Sequence, residues 1–264
     1  MTQSRTSKTH PNCKNMIIKK CNLLALIILF SLIISCEKSD EKDNDYDNES
    51  VIDLPTDSPR GLAYDGNYLW YSDDSLDCLY KISEKGDILK TISLSNSDIT
   101  GFEFYNNHIW CINDTTVFYD TTISHYPFSC IYELSMEGDK LDSVLIASVN
   151  PQKPEFLGLT VFNSNLYGTT NQGYSSHIYK IDLNSKEKLF LQYQYPSGLT
   201  VHNDTIYVID KSQANMDRIV PLDNDYNLIE IKAIEINFQA TDLAYFNNHI
   251  WVCVSQEKKL KKIK

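Results

Sequence analysis

The stretch Gly61-Leu62-Ala63-Tyr64-Asp65-Gly66-Asn67-Tyr68-Leu69-Trp70 decides the fold, because the chain returns to it four more times. The copies run from Gly101 to Trp110, Gly158 to Tyr167, Gly198 to Tyr207 and Asp242 to Trp251, and in each the aromatic comes nine positions after the first residue. Between the two lie a short apolar run, a polar turn and a second apolar run. The turns are Asp65-Gly66-Asn67, Asn106-Asn107, Asn163-Ser164-Asn165, Asn203-Asp204 and Asn247-Asn248. Two short strands joined by such residues make a β-hairpin. A hairpin that recurs every 40 to 57 residues marks one repeat array rather than a string of separate domains.

Each hairpin, strands A and B, is followed by two further alternating segments, C and D. Blade one reads Gly61–Tyr64, Tyr68–Ser72, Cys78–Ile82 and Ile88–Leu94. Blade two reads Gly101–Phe104, His108–Ile112, Cys130–Leu134 and Leu141–Ala147, with an insertion from Asn113 to Ser129 between B and C. Blade three is Gly158–Val161, Leu166–Thr169, His177–Ile181 and Lys188–Gln192. Blade four is Gly198–Val201, Thr205–Ile209, Arg218–Leu222 and Leu228–Ile236, where Pro221 predicts a bulge or early turn in strand C. Blade five has Leu243–Tyr245, His249–Val254 and Lys259–Ile263, and then the sequence stops. The segment Ser50-Val51-Ile52-Asp53-Leu54 supplies its missing fourth strand. A ring closed in this way leaves few unpaired edges. The fold class is therefore all-β: a five-bladed β-propeller over 49–264 whose N-terminal strand closes the last blade.

What precedes it does not belong to that fold. Residues 16 to 36 read Met-Ile-Ile-Lys-Lys, an apolar run from Leu23 to Ile34, then Ser35-Cys36. A basic start, a short apolar core and a small residue before the cut make a secretory signal over 1–35, with Met16 a natural start. The apolar run is too short to span a bilayer, which takes roughly 20 residues. Leu32-Ile33-Ile34-Ser35-Cys36 resembles the lipobox of bacterial lipoproteins, which implies lipidation of Cys36. Residues 36–48 then form an acidic, flexible tether. The expected location is the outer membrane of a Gram-negative bacterium, on the periplasmic or cell-surface side, with the membrane reached through the lipid.

Removing the signal takes five bases and no acids, so 24 bases become 19 against 35 acids and the formal charge moves from −11 to −16. Such a surface excludes nucleic acid as a partner, since phosphates demand basic patches. Cys78, Cys111, Cys130 and Cys253 remain in the propeller without CxxC spacing, which argues against zinc. Cys111 and Cys130 flank one loop and are open to either a disulfide or two buried thiols. The lysines from Lys258 to Lys264 fit the solvent side of strand C, with Leu260 and Ile263 turned to the core.

The A–B turns are uniformly short, whereas the B–C loops vary in length and content, and variable loops are where function resides. The insertion offers Phe118, Tyr119, Tyr126 and Phe128 beside His125. Such aromatics suit a protein, peptide or glycan ligand, and they suit equally a self-packed loop. Tyr174 in the third B–C loop and Phe156 in the D–A loop before blade three join the same face. Acids and amides recur at strand B ends: Asp73, Asp74, Asn113, Asp114, Asn171 and Asp210. No cofactor and no metal site is expected; the cation that a ring of such oxygens would suit is calcium.

No nucleophile beside a base, phosphate loop or zinc helix is present in the sequence. The five blades and the wording of the first repeat resemble the glutaminyl-peptide cyclotransferases of the plant and bacterial type, and more generally the NHL and YVTN-like propellers. The former resemblance implies an enzyme forming N-terminal pyroglutamate. In that family the first strand B reaches Glu-Ser-Thr-Gly, where this chain has Tyr71-Ser72-Asp73. A tryptophan beyond the second strand B is replaced by Asn113-Asp114, and the family's Glu-Gly by Thr100-Gly101. Asp73 and Glu103 are the remaining carboxylate candidates for catalysis. The leading reading is a non-catalytic binding module, with a cyclotransferase-like enzyme as the alternative.

Overall fold

The computed structural model describes residues 51–94, 99–118, 128–147, 155–171, 176–193, 195–213 and 216–263, with the backbone alone at 113–118, 128–129, 147, 155–156, 171, 192 and 213. Its strands form five antiparallel four-stranded sheets. The first holds β2 (Pro59–Tyr64), β3 (Leu69–Asp73), β4 (Cys78–Ile82) and β5 (Ile88–Ser93). The second holds β6 (Ile99–Tyr105), β7 (His108–Phe118), β8 (Phe128–Leu134) and β9 (Lys140–Ala147). The third holds β10 (Glu155–Phe162), β11 (Asn165–Asn171), β12 (His177–Asp182) and β13 (Lys188–Gln192). The fourth holds β14 (Pro196–His202), β15 (Thr205–Gln213), β16 (Met216–Pro221) and β17 (Ile234–Ile236). The fifth joins β18 (Asp242–Phe246), β19 (His249–Val254) and β20 (Lys259–Ile263) to β1 (Val51–Asp53). β1 pairs with β20 through Ile52 and Leu260, so the N-terminal strand closes the last blade as the sequence predicts.

Four of the inner hairpins turn on two residues with positive φ: Asn106-Asn107, Asn163-Ser164, Asn203-Asp204 and Asn247-Asn248. Paired left-handed residues match the right-handed twist of the strands, and asparagine tolerates that region better than most side chains. In blade one the wider turn is organised by the Asp65 carboxylate, which accepts from the backbone N–H of Asn67 and Tyr68.

The core lies between blades rather than within them, because alternate residues of every strand face opposite neighbours. Leu69 and Tyr71 of β3 pack towards blade five, while Trp70 between them packs towards blade two. On β20, Leu260 faces blade one and Ile263 faces blade four, both buried. At the centre the inner strands approach so closely that side chains are excluded. A Cβ on Gly101 would lie 2.9 Å from the Cα of Gly158, and one on Gly158 would lie 2.6 Å from the Cα of Gly198. The ladder bulges beside this point in each of the four glycine blades. In blades one and three the freed glycine N–H donates to a strand-B hydroxyl, Ser72 (2.8 Å) or Thr169 (3.0 Å). That hydroxyl donates in turn to a carbonyl of the next blade, Ile99 or Ser197. Glycine and hydroxyl together stitch neighbouring blades.

The structure departs from the sequence reading in two elements. The insertion after Ile112 does not leave the sheet at once: β7 and β8 continue past their expected ends and pair again at Phe118 and Phe128. The fourth strand of blade four covers only Ile234–Ile236 instead of 228–236. Pro221 ends β16, and its carbonyl accepts from Ile229 (2.9 Å) in a turn that consumes residues expected to be strand. Cys78, Cys111, Cys130 and Cys253 are free, buried thiols, which resolves the Cys111–Cys130 question. Burial pushes Cys111 and Cys253 up to about 12, so neither is a thiolate at neutral pH.

Gly158→Ala tests the close approach. The added methyl would press on the backbone of Ser197–Leu199, with no flexible side chain to displace. The expected loss is about 1–3 kcal/mol or more, read as a lower midpoint in urea denaturation. Gly66→Ala, in open space, has only its positive φ to oppose it and serves as the comparison.

Candidate functional site

The strand-B ends that the sequence singles out do share one end of the molecule. Asp73 pairs with Pro59, Asn113 with Ile99 and Asp210 with Pro196, all at the same level of their sheets, while Asn171, paired with Glu155, lies one residue farther out. Phe156 sits beside them, paired with Thr170. Asn113, Asp114 and Phe118 are on β7. Tyr119, His125, Tyr126 and Tyr174 lie outside the described residues, as do Cys36, the signal and the tether.

Two of these acids are committed to holding their own loops. The Asp73 carboxylate is fully buried and accepts from the N–H of Ser58 (3.0 Å), Ser75 (2.9 Å) and Leu76 (3.0 Å) and from the Ser75 hydroxyl (2.6 Å). Burial alone would raise its pKa, but hydrogen bonds from Ser75 and Ser58 outweigh that and hold it below the usual carboxylate value. Asp210 accepts from the N–H and hydroxyl of Ser212, both at 2.9 Å, and pairs with Arg218, which also reaches Glu230 at 2.6 Å. Asp74 is different. It stands partly exposed and pairs with Arg60 at 2.6 Å.

The centre of the ring holds two further carboxylates. Asp242 replaces glycine in the fifth repeat, and its Oδ1 occupies the space beside Gly198. It accepts from the N–H of Leu62 across the closure (2.9 Å) and of Leu243 (2.9 Å). Complete burial raises its pKa well above the ordinary value, and the neighbouring Glu103 adds to the effect. Glu103 lies two residues beyond Gly101 on β6 and is partly buried, keeping some solvent access. Its oxygens accept from the Phe104 N–H and the Thr160 hydroxyl, each at 2.9 Å. Desolvation dominates and pushes it to about 7. A carboxyl near neutrality can exchange a proton at physiological pH, the property general acid–base chemistry requires. Among the described residues no group of three or more His, Cys, Asp or Glu is placed to hold a metal ion.

The opposite face, with its short A–B turns, reads from sequence as structural. The structure places open recesses there, one at each of several blade interfaces. One of about 250 Å³ lies between blades two and three around Trp110, His108, Glu133 and Lys186. Another of about 280 Å³ lies between blades five and one around Trp251, His249 and Lys262. The repeated aromatic that begins the sequence argument forms a wall of both. His108 Nδ1 donates to the Glu133 carboxylate at 2.7 Å, and His249 Nδ1 donates to the carbonyl of Asn247 at 2.6 Å.

Fold and centre define the class: a five-bladed β-propeller closed by its N-terminal strand. Glutaminyl cyclase of Myxococcus xanthus shares the fold with a TM-score of 0.55 at 10% identity, over 81% of this chain and 93% of that one. A chain of a nidogen/laminin complex gives 0.52 at 15% identity, over 74% and 72%. The PQQ-bound aldose sugar dehydrogenase of Streptomyces coelicolor gives 0.50 at 12% identity, over 81% and 79%. No protein-family model and no curated protein matches the sequence. At such identities the likeness is one of fold.

Glu103 makes stability depend on pH. A carboxyl raised from 4.5 to about 7 binds its proton more tightly when folded. Its contribution is therefore complete below 4.5 and is lost as pH rises through about 7. The urea midpoint is expected to fall between pH 5 and pH 8, and Glu103→Gln to flatten that slope. An unchanged slope in the variant would show that Glu103 is not the titrating group.

Proposed function

We propose that this chain is a lipid-anchored binding module of the outer membrane, tethered through Cys36 and presenting the B–C face to a protein, peptide or glycan. The observation that carries the reading is the extended β7–β8 ladder. β7 runs on to Phe118 past Asn113, the level at which β3 ends at Asp73. β7 thus outruns its neighbours, and Phe118 pairs with Phe128 beyond the register shift that follows Asn113. It offers the aromatic segment as a contact surface at low entropic cost, since its base is already ordered. The proposed face also takes in Asp74, Asn113, Asp114, Phe156, Asn171 and Tyr174. Calcium, if any site takes it, would be held on this same rim of oxygens.

The engaged state of the central acids supports binding over catalysis. Asp73 and Asp210 spend their oxygens on loop N–H and hydroxyl groups, and Asp242 spends its own on closing the ring. One observation favours a second reading, a cyclotransferase-like enzyme: Glu103 near neutrality.

One pair of experiments separates them. Replacing 114–127 by a two-residue turn is expected to leave the fold intact and abolish capture of a partner from the native membrane. Capture retained by the shortened protein would sink the binding reading. Incubation with peptides beginning in glutamine is expected to show no ammonia release above the spontaneous rate. Acceleration that disappears in Glu103→Gln would make the protein an enzyme.

A further inference from the structure

The five repeats allow one blade to be used as a template for another. In blade one, Trp70 stands opposite Lys81 on the neighbouring strand, and in blade five Trp251 stands opposite Lys262 in the same register. In blade one a carboxylate sits between the two. Asp65 Oδ2 accepts from Trp70 Nε1 at 2.7 Å and pairs with Lys81 Nζ at 3.2 Å. Burial works against its charge, but the bonds from Trp70, Tyr68, Asn67 and Lys81 outweigh it and hold the pKa below the ordinary value. Tryptophan N–H and lysine ammonium are thus a working carboxylate site, filled from within.

Blade five keeps both donors and lacks the acid. Pairing of Tyr245 with Ile250, as of Tyr64 with Leu69, places Phe246 where Asp65 would be. Trp251 is 8% exposed, and its Nε1 is buried without a hydrogen-bond partner. A buried donor left unpaired costs roughly 1–3 kcal/mol, so it marks a place where an acceptor would bind. Lys262 completes the pair. Along the same edge Lys258, Lys259 and Lys261 each have an acid, Asp57 (2.5 Å), Asp53 (3.9 Å) and Glu257 (2.7 Å) respectively. Lys262 has none among the described residues, and it lines the recess of about 280 Å³ that Trp251 also walls. Glu84, across the recess, is bonded to Asn247 Nδ2 at 2.9 Å rather than to either donor.

We infer that the recess between blades five and one binds a carboxylate, with Trp251 Nε1–H and Lys262 Nζ taking up from a ligand the group that Asp65 supplies inside blade one. The ligand is either a small organic acid or an acidic side chain of a peptide. A chain of formal charge −11 gathers few anions by its overall field, so selectivity must come from these two directed donors. The site lies on the face opposite the β7–β8 ribbon and stands independently of the function proposed for it.

The test observes the indole N–H resonances of the full-length protein labelled with ¹⁵N-tryptophan. Trp70→Phe, Trp110→Phe and Trp251→Phe assign the three signals. The probes are N-acetylglutamate, a blocked tripeptide with central glutamate, and N-acetylglutaminamide as the neutral counterpart. Both acids are expected to displace the Trp251 signal saturably while leaving that of Trp70 in place. Lys262→Gln, on a half-exposed strand position, should fold normally and weaken binding by about tenfold or more, the worth of a charge-assisted hydrogen bond. Tighter binding of the tripeptide points to a peptide source, and equal binding to a small acid. A Trp251 signal that no acid moves overturns the inference. So do equal displacement by the neutral amide and binding unaffected by Lys262→Gln.

Discussion

The rest of the molecule depends on how closely five inner strands can approach one axis. With separations that leave no room for a Cβ at Gly101 or Gly158, side-chain packing cannot hold the centre together. Hydrogen bonds do it instead. The strands bulge, the glycine N–H leaves the ladder, and the Ser72 and Thr169 hydroxyls relay it to the carbonyl of the next blade. Blade five breaks the pattern with Asp242, whose carboxylate crosses the seam to the N–H of Leu62. Burying a carboxylate is costly unless it is well hydrogen-bonded. Its presence at the seam means that the join between the first and last blades uses a buried carboxyl where the joins of blade one to two and three to four use glycine and a hydroxyl.

A centre occupied in this way shapes what the propeller can do. Many propellers can use the axis as a site, but here its acids are largely consumed by closure and by the loops around it. Glu103 is the exception: it has two donors, keeps some solvent access and titrates near neutrality. The variable material lies farther out, as the ribbon of blade two on one face and the inter-blade recesses on the other. Both grow from the same repeat. Strand B gives the ribbon at its end and the aromatic wall of the recess at its start.

The repeat was legible because the physics that imposes it acts on single residues. Glycine at the axis, asparagine in the two-residue turn and an aromatic nine positions on each have one structural reason. Closure by residues 51–53 followed from counting strands. The short fourth strand of blade four was not legible, since Leu228–Ile236 carries enough apolar residues for a strand, and only the turn bonded to the Pro221 carbonyl excludes it. The continuation of β7 through Asp114, Thr115 and Thr116 was hidden in the same way by polar residues, since the ladder slips after Asn113 and resumes only at Phe118–Phe128. The roles of Asp73 and Asp210 were misleading as a recurring acidic display. Each is followed two residues later by serine, Ser75 or Ser212, and that spacing is the signature of a carboxylate folding its own loop.

The recess at blade five shows why repeats must be compared by function of atoms and not by residue type alone. Asp65 and Phe246 align as a turn acid replaced by an apolar residue, an ordinary drift between degenerate copies. Only the bond from Trp70 to Asp65 gives the replacement a consequence, because the tryptophan donor and the opposing lysine persist in blade five when their acceptor has gone. Loss of the acid without loss of its partners is hard to attribute to packing. An apolar substitute that merely filled space would favour a tryptophan replaced by a residue with no N–H to bury. Retention of both donors beside an open recess is what an external acceptor would require.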